Sequence, residues 1–330
     1  MVATADQPTG LAFYDRTAIR AALSPMRAVE AVRDALAAGL DPDTDIPRWS
    51  VPLRHGAFLL MPSDFGRYAG VKVLTSAPDN PARGLPRIQG VYVLFDAPTA
   101  TPRALLDGPE LTAIRTAAVS MAAVKDRLLA TENPLRVVVF GAGTQAHSHV
   151  RTLLAVIEGT RALDELVVAV RTPRDAIALA GVAATTVGIG TAEAGRAVAR
   201  ADLIICATGS DVPLFDGRLV ADHSTVVCVG AHEPNAREVD DELIARSTVM
   251  VESPAMATGQ VGAVIHAAAA GRCDLRRLVA MRTCGNLDGV TSTAPLVFIS
   301  VGMSWEDLVI ASAVVQAEPG QIPRKSNQSL

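Results

Sequence analysis

The sequence predicts an α/β protein in which a doubly wound parallel sheet is joined to a smaller α+β domain. From about residue 130 onward, strand-like runs alternate strictly with helical segments, which is typical of a parallel sheet covered by helices. Before that point, short β-rich runs follow one another directly. The length of 330 residues also exceeds the size that one hydrophobic core usually serves, so two domains are expected.

The first region begins with a helix and continues as a meandering sheet. Ser24-Pro25 followed by MRAVEAVRDALAAGL indicates an N-cap, a proline in the first turn and a glycine stop at Gly39. From Ala57 to Leu106 the runs AFLLMP, GVKVLT, GVYVLF and PRALL are separated by Asp, Pro, Gly and Asn clusters, which favours short strands joined by turns.

A long helix is predicted to lead out of this region. Asp107-Gly-Pro-Glu110 resembles a capping box, and the apolar periodicity continues to about Ala130. Five strands of the parallel sheet follow, in the runs RVVVFGAG, ELVVAV, DLIICATG, TVVCVG and TVMVES. A last helix is expected from Ser304 to about Gln316, with PGQIPRKSNQSL as a frayed tail.

Composition excludes several classes of protein. Hydrophobic residues make up 49% of the chain and aromatic residues 4%, which suits a parallel sheet packed under Ala-rich helices. The net charge of -4 supplies no cationic surface for a polyphosphate backbone, so nucleic acid is not expected as a partner. The N-terminus lacks the pattern of a signal peptide, and no apolar run reaches membrane-spanning length. We therefore expect a cytoplasmic protein with no membrane partner.

The cysteines indicate neither a metal site nor a disulfide framework. Their spacing contains no CxxC pair and no zinc-type array, and two of them lie inside strand-like runs. Buried free thiols are therefore expected at Cys206, Cys228, Cys273 and Cys284.

A dinucleotide site is predicted at the first strand of the parallel sheet. Val137-Val138-Val139-Phe140 runs into Gly141-Ala-Gly143-Thr144-Gln145-Ala146, and a helix follows. This is the GxGxxA pattern in the strand–turn–helix context of a Rossmann domain. The first glycine permits the tight turn, the second lets the backbone approach a pyrophosphate, and the helix N-terminus favours the phosphates.

The second strand favours NADP over NAD. This strand usually ends in Asp or Glu when a ribose 2′-hydroxyl is bound, whereas a nearby arginine accommodates a 2′-phosphate. Here ELVVAV ends at Arg171-Thr172, Arg174 follows, and the first carboxylate is Asp175. Surface arginines are also common after strands, so NAD stays an alternative.

Two cationic side chains occupy positions where burial of the charge is costly unless an anion pairs with it. Lys72 interrupts an apolar strand, and Arg115 lies on the helix LTAIRTAAVSMAA among small residues. Either alone could be a solvated cation. Arg48, in IPRWSVPL, could simply stack on the neighbouring tryptophan.

Taken together, these segments resemble the ornithine cyclodeaminase/mu-crystallin family. The most specific parts are the LTAIRTAAVSMAA helix and the GAGTQA turn at their mutual spacing. The likeness also runs through PRWSVPL, the MP of LLMPSD, GVKVLTSAPDNPARGLPRIQGVYVLFDAPTATPRALLDG, VVVFGAGTQAHSHV, ADLIICATGS, VVCVGAHEPNAREVDDELI and FISVGMSWEDL.

The resemblance implies a division of the chain and a set of site residues. Residues 1–124 and 301–330 would form a substrate-binding and homodimerisation domain, and residues 125–300 the NAD(P)-binding Rossmann domain. Arg48, Lys72 and Arg115 would clamp a substrate α-carboxylate, which suits the bidentate grip of guanidinium on carboxylate. Val229 would lie near the nicotinamide. Further positions match those that the family places around the dinucleotide, namely Thr116, Gly143, Gln145, Ala146, Thr208 and Ser300.

The sequence departs from the cyclodeaminase pattern in two segments. Gly230-Ala231-His232-Glu233 stands where cyclodeaminases carry an aspartate in a GGD-like segment, and Gly84-Leu85-Pro86-Arg87 stands where they carry threonine. The family aspartate would handle the distal amine of ornithine. His232 could instead be a solvent-facing loop residue, and Glu233 could compensate if it points inward.

The preferred interpretation is an oxidoreductase of amino acid metabolism that reduces a carbon–nitrogen double bond next to a carboxylate. Candidate substrates are a cyclic ketimine, such as pyrroline- or piperideine-2-carboxylate, and the imine of a 2-oxo acid, with hydride delivered to the α-carbon. Lys72 is the first candidate for proton handling, because desolvation and neighbouring arginines would favour its neutral form. His232 is the second.

Three alternatives stay open. A cyclodeaminase would retain NAD and convert ornithine to proline with loss of ammonia, but it needs an acidic partner for the distal amine. An amino-acid dehydrogenase of the alanine type is a second possibility. A protein of another class, an NADPH-dependent carrier of small ligands, would bind the dinucleotide without turnover.

Overall fold

The computed structural model describes residues 11–173, 177–231, 233–284 and 293–317. Contacts divide the chain into two units. The first consists of Met1–Ser24, Asp45–Thr112 and Ser304–Leu330, and the second of Pro25–Thr44 and Ala113–Met303. These bounds differ from the predicted ones in placing residues 25–44, 113–124 and 301–303 with the parallel sheet. The physical reason is packing, since the helix that begins at Pro25 lies against the helix that follows the glycine-rich turn.

The first unit contains a six-stranded sheet. Its strands are β1 (Ala12–Tyr14), β2 (Trp49–Leu53), β3 (Gly56–Phe65), β4 (Tyr68–Ser76), β5 (Ile88–Asp96) and β6 (Thr101–Asp107). The spatial order is β1-β6-β5-β4-β3-β2, in which β2 to β6 form an antiparallel meander and β1 adds in parallel to β6. The predicted meander is therefore confirmed.

One face of this sheet is buried under a helix. Along β4 and β5 the residues alternate between buried and partly exposed, as the period of a strand requires. The helices of this unit are α1 (Arg16–Ala22) and α9 (Ser304–Ala317), and α9 packs on β3, β4 and β5. The predicted last helix is confirmed, whereas the predicted frayed tail lies outside the described residues.

The second unit contains an eight-stranded parallel sheet in the order β11-β8-β7-β12-β13-β16-β14-β15. Its strands are β7 (Leu135–Phe140), β8 (Leu163–Val170), β11 (Thr185–Gly188), β12 (Leu203–Cys206), β13 (Thr225–Cys228), β14 (Thr248–Val251), β15 (Val279–Ala280) and β16 (Leu296–Ile299). Between β8 and β11 the chain forms a short antiparallel hairpin of β9 (Ala178–Leu179) and β10 (Val182–Ala183). The five predicted strands are present, and β11, β15 and β16 were not predicted.

Helices cover this sheet. They are α2 (Pro25–Ala37), the part of α3 (Gly108–Leu128) after Thr112, α4 (Thr144–Ile157), α5 (Ala192–Arg200), α6 (Asp241–Arg246), α7 (Pro254–Gln260) and α8 (Gly262–Ala269). As predicted, α2 begins at Pro25, and Gly39 follows it with a φ of 96°. Asp107 caps α3, because its Oδ1 accepts from Glu110 N at 2.7 Å. The predicted α/β fold with a doubly wound parallel sheet is confirmed.

The described residues contain no helix that is both long and apolar enough to cross a membrane. All four cysteines are free thiols. Cys206 and Cys228 are buried, as predicted, but Cys273 and Cys284 are only partly buried because they lie outside the sheet. In the part of the chain that the structure describes, no three His, Cys, Asp or Glu residues are grouped so that they could hold a metal ion.

Candidate functional site

The glycine-rich turn has the geometry that a dinucleotide requires. Gly141 has a φ of +99°, and a Cβ there would lie 2.5 Å from the carbonyl oxygen of Ala207, so this position demands glycine. Gly143 is the N-cap of α4, and a Cβ on it would meet no described atom within 4 Å. Ala146 is fully buried, which lets α4 pack close to the sheet.

A cavity of about 980 Å³ opens beside this turn. It is lined by the ends of β7 and β8 and by the loop after β12, and four predicted residues contribute to its wall: Gly141, Arg171, Thr172 and Thr208. Its position at the carboxyl edge of the strands is where doubly wound sheets bind ligands, and its size is sufficient for one. These features fit a dinucleotide whose phosphates approach the N-terminus of α4.

The other predicted dinucleotide residues lie outside that wall. Gly143, Thr144, Gln145 and Ala146 form the cap and first turn of α4. Val229 follows β13 and is partly exposed. Thr116 on α3 and Ser300 after β16 are 5% and 2% exposed. The roles of these residues in dinucleotide binding stay predictions.

Glu238 ties together two loops at the carboxyl edge of the sheet. Its Oε1 accepts from the backbone N and the Oγ1 of Thr208, at 2.9 and 2.8 Å, and its Oε2 accepts from Gly230 N at 2.8 Å. The side chain is nearly fully buried, and burial raises the pKa of Glu238 although these donors oppose the rise. The loops after β12 and β13 are thus held by one carboxylate.

Glu252 also lies at the carboxyl edge of the sheet, after the next strand in the sequence. It directly follows β14 and accepts from Ser300 Oγ at 2.6 Å and from Val301 N at 3.1 Å. Gly302 has a φ of +76°, and a Cβ there would lie 2.7 Å from both terminal nitrogens of Arg115. Arg115 therefore lies against the backbone that Glu252 fixes, close to the predicted dinucleotide residue Ser300.

Lys72 is buried rather than solvated. It lies in the middle of β4, is 1% exposed, and donates to Asp307 Oδ2 at 2.7 Å. Its Nζ also lies 3.3 Å from Thr112 Oγ1. Desolvation and neighbouring arginines were expected to favour a neutral Lys72, and the contact with the Asp307 carboxylate acts in the opposite direction.

Two further titratable groups lie on the same side of the first unit. Tyr92 stands opposite Lys72 in the β4–β5 register and is fully buried. Burial first, and then the carboxylates of Asp307 and Asp45, raise the pKa of Tyr92 well above its ordinary value. Asp45 Oδ2 accepts from Ser304 N and Trp305 N, at 2.8 and 3.2 Å, and caps the start of α9. Burial raises the pKa of Asp45 to about 6.

The remaining predicted residues are less buried or not described. Arg48 is half-buried just before β2, and Arg115 is 7% exposed on α3. Arg87 and Glu233 are exposed. His232 lies outside the described residues, as do Arg174 and Asp175, so the predictions on these three cannot be placed in the structure.

His149 fixes α4 to α3. Its Nδ1 lies 2.8 Å from the Gln145 carbonyl and its Nε2 3.0 Å from Ser120 Oγ. Burial lowers the pKa of His149 to about 4, so the ring is neutral at pH 7. A carbonyl can only accept, so Nδ1 carries the proton and Nε2 is an acceptor. The single hydrogen of the Ser120 hydroxyl is then shared between Nε2 and the carbonyl oxygen of Thr116, which lies 2.9 Å from Ser120 Oγ.

Sequence reasoning missed three buried carboxylates in these networks. Glu252 offered a usable signal, because it stands at the carboxyl end of a predicted strand, where ligand sites of parallel sheets gather. Asp307 stands in the first turn of a helix, where acids are ordinary partners of the helix dipole, so nothing in the sequence set it apart. Glu238 lies in a loop and carries no comparable signal.

Comparison with known proteins places the chain among related sequences. A sequence model described as "Ornithine cyclodeaminase/mu-crystallin family" matches residues 16–319. The chain is 32% identical over 276 residues to the Delta(1)-pyrroline-2-carboxylate reductase of Colwellia psychrerythraea, a match that covers 79% of this chain and 84% of that protein. It is 32% identical over 270 residues to the Delta(1)-pyrroline-2-carboxylate/Delta(1)-piperideine-2-carboxylate reductase of Azospirillum brasilense, covering 79% and 81%.

A solved structure has a similar fold. The Delta(1)-pyrroline-2-carboxylate reductase of Thermococcus litoralis, in complex with NADH and L-proline, superposes with a TM-score of 0.79. That match has 25% sequence identity and covers 93% of this chain and 97% of the other.

Proposed function

Because the chain belongs to the ornithine cyclodeaminase/mu-crystallin family, we propose that it is an NAD(P)H-dependent reductase of an imine next to a carboxylate. The proposed substrate class is a cyclic ketimine such as pyrroline- or piperideine-2-carboxylate. The observation that carries this proposal is the burial of two cations, Lys72 and Arg115, in a chain whose relatives at 32% identity are named reductases of these compounds.

We propose separate roles for dinucleotide binding and for substrate binding. The second unit holds the dinucleotide at the glycine-rich turn, and the bound dinucleotide supplies a hydride for the α-carbon. Arg48, Lys72 and Arg115 bind the α-carboxylate, because guanidinium and ammonium groups form charge-assisted hydrogen bonds with carboxylates. Holding the carboxylate fixes the orientation of the imine carbon, and positioning of this kind supplies much of the rate. Lys72 is proposed to hold the proton that the imine nitrogen takes up, with His232 as the second candidate.

NADP is proposed as the preferred dinucleotide. Arg171 and Thr172 lie at the end of β8 and line the cavity, where an arginine can pair with a 2′-phosphate. Asp211 lines the same cavity and would oppose a second negative charge, so the preference is expected to be moderate.

A homodimer is proposed on the partly exposed face of the first sheet. Val71, Val73, Val91 and Val93 are half-buried and share this face, and Trp49 on the edge strand is 58% exposed. Exposed apolar patches on this scale are typical of protein–protein interfaces. Free thiols at all four cysteines support a reducing location, for which we propose the cytoplasm.

The test is a turnover assay with purified protein. NADPH absorbance should fall when pyrroline-2-carboxylate or piperideine-2-carboxylate is added, and more slowly with NADH at the same concentration. Ornithine with NAD should give no proline. No absorbance loss with any cyclic ketimine or 2-oxo acid/amine pair, together with proline formed from ornithine, would replace the reductase by a cyclodeaminase. Dinucleotide binding without any turnover would indicate a carrier protein.

Arg115 provides the matched variants for this assay. Arg115→Ala should lower kcat/KM by about 100-fold or more, because two charge-assisted hydrogen bonds to the carboxylate are lost. Arg115→Lys keeps the charge without the bidentate geometry, so its kcat/KM should lie between those of wild type and Arg115→Ala. The dissociation constant for NADPH, measured by fluorescence titration, should stay within about 3-fold of wild type in both variants, since 3-fold is below 1 kcal/mol. An Arg115→Ala enzyme with normal kcat/KM would remove this residue from the proposed clamp.

A further inference from the structure

Lys72 and Asp307 form a buried ion pair that joins the sheet of the first unit to its last helix. Nζ lies 2.7 Å from Oδ2, and the two side chains are 1% and 0% exposed. The residues stand 235 positions apart in the sequence, so the pair exists only in the folded chain.

Apolar side chains also border this pair. Met61 and Leu74 lie on the same buried face of the sheet as Lys72 and are 5% and 7% exposed. Withdrawing two charges from water is costly, and well-packed apolar side chains of similar size often stabilise a core equally well or better. Stability alone therefore does not account for a cation and an anion at this place.

The contacts fix both partners. Asp307 stands in the first turn of α9, where the helix dipole favours a negative charge. Thr112 Oγ1 donates to Gly108 O at 2.9 Å, so its lone pairs are available to Lys72 Nζ at 3.3 Å. The titratable groups near Lys72 include Asp307 on α9 and Tyr92 on β5, and Asp45 acts on Tyr92 electrostatically.

We propose that Asp307 is a positioning residue for imine reduction, whose carboxylate keeps Lys72 a cation and fixes the direction of its ammonium group. Lys72 then meets the substrate as a charged hydrogen-bond donor and not as a free base. A buried lysine without an anionic partner favours its neutral form, which neither attracts a carboxylate nor carries a proton for the imine nitrogen. The inference rests on the proposed reduction for its activity readout, whereas the coupling of the two charges can be measured without any substrate.

The first experiment is a pH profile of kcat/KM for pyrroline-2-carboxylate with saturating NADPH. Asp307→Asn keeps the shape of the side chain and removes its charge. The pH at which activity has fallen by half on the alkaline side should drop by about one unit or more relative to wild type, because loss of a contacting opposite charge has effects of this size. Activity lost at neutral pH should be recovered in part in more acidic buffer.

Asp45→Asn is the matched control. It removes a partly buried carboxylate at the start of the same helix, and Asp45 accepts from Ser63 Oγ and from the backbone of α9. Its alkaline limb should coincide with that of wild type. An alkaline limb for Asp307→Asn at the wild-type position, or an equal shift in both variants, would overturn the proposal.

The second experiment measures coupling through stability. Thermal unfolding of Lys72→Met, Asp307→Asn and the double variant forms a thermodynamic cycle, in which removal of one partner strands the other charge in the core. The double variant should unfold at a higher temperature than Asp307→Asn alone. Additive effects on Tm would contradict the proposal, whatever the substrate of the enzyme proves to be.

These two readouts separate the inference from the proposed function. If wild-type protein reduces no ketimine but the unfolding cycle shows the coupling, the proposed reductase function is refuted, whereas the coupling of Lys72 to Asp307 is confirmed. If Asp307→Asn is not recovered folded, Asp307→Glu keeps the charge and displaces it. Its alkaline limb should then stay at the wild-type position while kcat falls, and a shifted limb with unchanged kcat would count against the role of Asp307.

Discussion

Glu238 shows how one buried side chain can position two loops at the carboxyl edge of the parallel sheet. Its two carboxylate oxygens hold three donors from the loops after β12 and β13, and Thr208 in the first of these loops lines the cavity. Such hydrogen bonds are stronger than neutral ones because the acceptor is charged. The position of Thr208 relative to Gly230 therefore depends on an acid that stands eight residues or more away in the sequence.

Glu238→Gln is predicted to weaken dinucleotide binding. The amide has one acceptor oxygen in place of two, so its NH₂ group faces an N–H or O–H donor and at least one loop contact is lost. The dissociation constant for NADPH should rise by about 10-fold, the equivalent of one such hydrogen bond. Fluorescence titration measures it, and Glu242→Gln, at a partly exposed carboxylate on α6 that pairs with Arg272, is the control that should bind like wild type. Unchanged binding in Glu238→Gln would mean that the loops hold their positions without this carboxylate.

The residues of this site differ in how visible they are to sequence reasoning. Gly141 and Ala146 follow a local pattern, strand then turn then helix, and the structure gives them the expected φ and burial. Lys72 was identified because a charge in an apolar strand is costly, although its partner was not. Asp307 lies on another element, and no local pattern relates residues so far apart in the sequence.

At the scale of elements, the start of α9 depends on a carboxylate from a distant segment. Asp45 accepts the backbone N–H groups of Ser304 and Trp305, two of the donors that a helix N-terminus leaves without partners inside the helix. Burial opposes the charge that makes this cap strong and raises the pKa of Asp45 from 3.8 to about 6. The folded chain therefore binds a proton at Asp45 more tightly than the unfolded chain does.

This difference predicts a pH dependence of stability. Between about pH 4 and pH 6 the folded state keeps a proton that the unfolded state has released, so the contribution of Asp45 is full below this window and is lost as the pH rises through it. The free energy of unfolding of wild type minus that of Asp45→Asn should fall across the window, by at most about 1.4 kcal/mol per pH unit, and be level above it. Urea unfolding at several pH values measures the difference. Asp64→Asn, at an exposed aspartate of β3, is the control, and its difference in free energy of unfolding from wild type should not change with pH. A pH-independent difference for Asp45→Asn would contradict the prediction.

The strands of the parallel sheet that sequence reasoning missed, β11, β15 and β16, have two to four residues each. β16 has four residues and inserts between β13 and β14, so its neighbours are set by tertiary packing and not by its own pattern. β11 begins in a polar TTVG segment that has little of the apolar character expected of a strand. Long elements with a start signal in their own sequence were predictable, and α2 after Ser24-Pro25 is the example.

At the scale of the molecule, the first sheet has two unlike faces. The inner face carries Met61, Lys72, Tyr92 and Leu94, all buried. An antiparallel sheet with one packed face usually presents polar residues on the other. Here the second face is apolar, with Trp49, Val51, Phe58, Leu60, Val71, Val73, Val91, Val93 and Leu105 related by the strand register. A second copy of the chain is the partner proposed for this face.

The oligomeric state tests that proposal directly. Wild-type protein should have twice the chain mass of 34.4 kDa in sedimentation equilibrium, because burial of such a face from water favours association. Trp49 and Val51 are 58% and 43% exposed on the edge strand β2, so lysines there should disturb the interface and leave the fold intact. The variant with both Trp49→Lys and Val51→Lys should sediment as a monomer at concentrations where wild type is dimeric. Leu219→Lys introduces the same charge at a 39% exposed leucine of the second unit and should stay dimeric. A wild-type monomer, or a double variant that still dimerises, would place the association surface elsewhere or remove it.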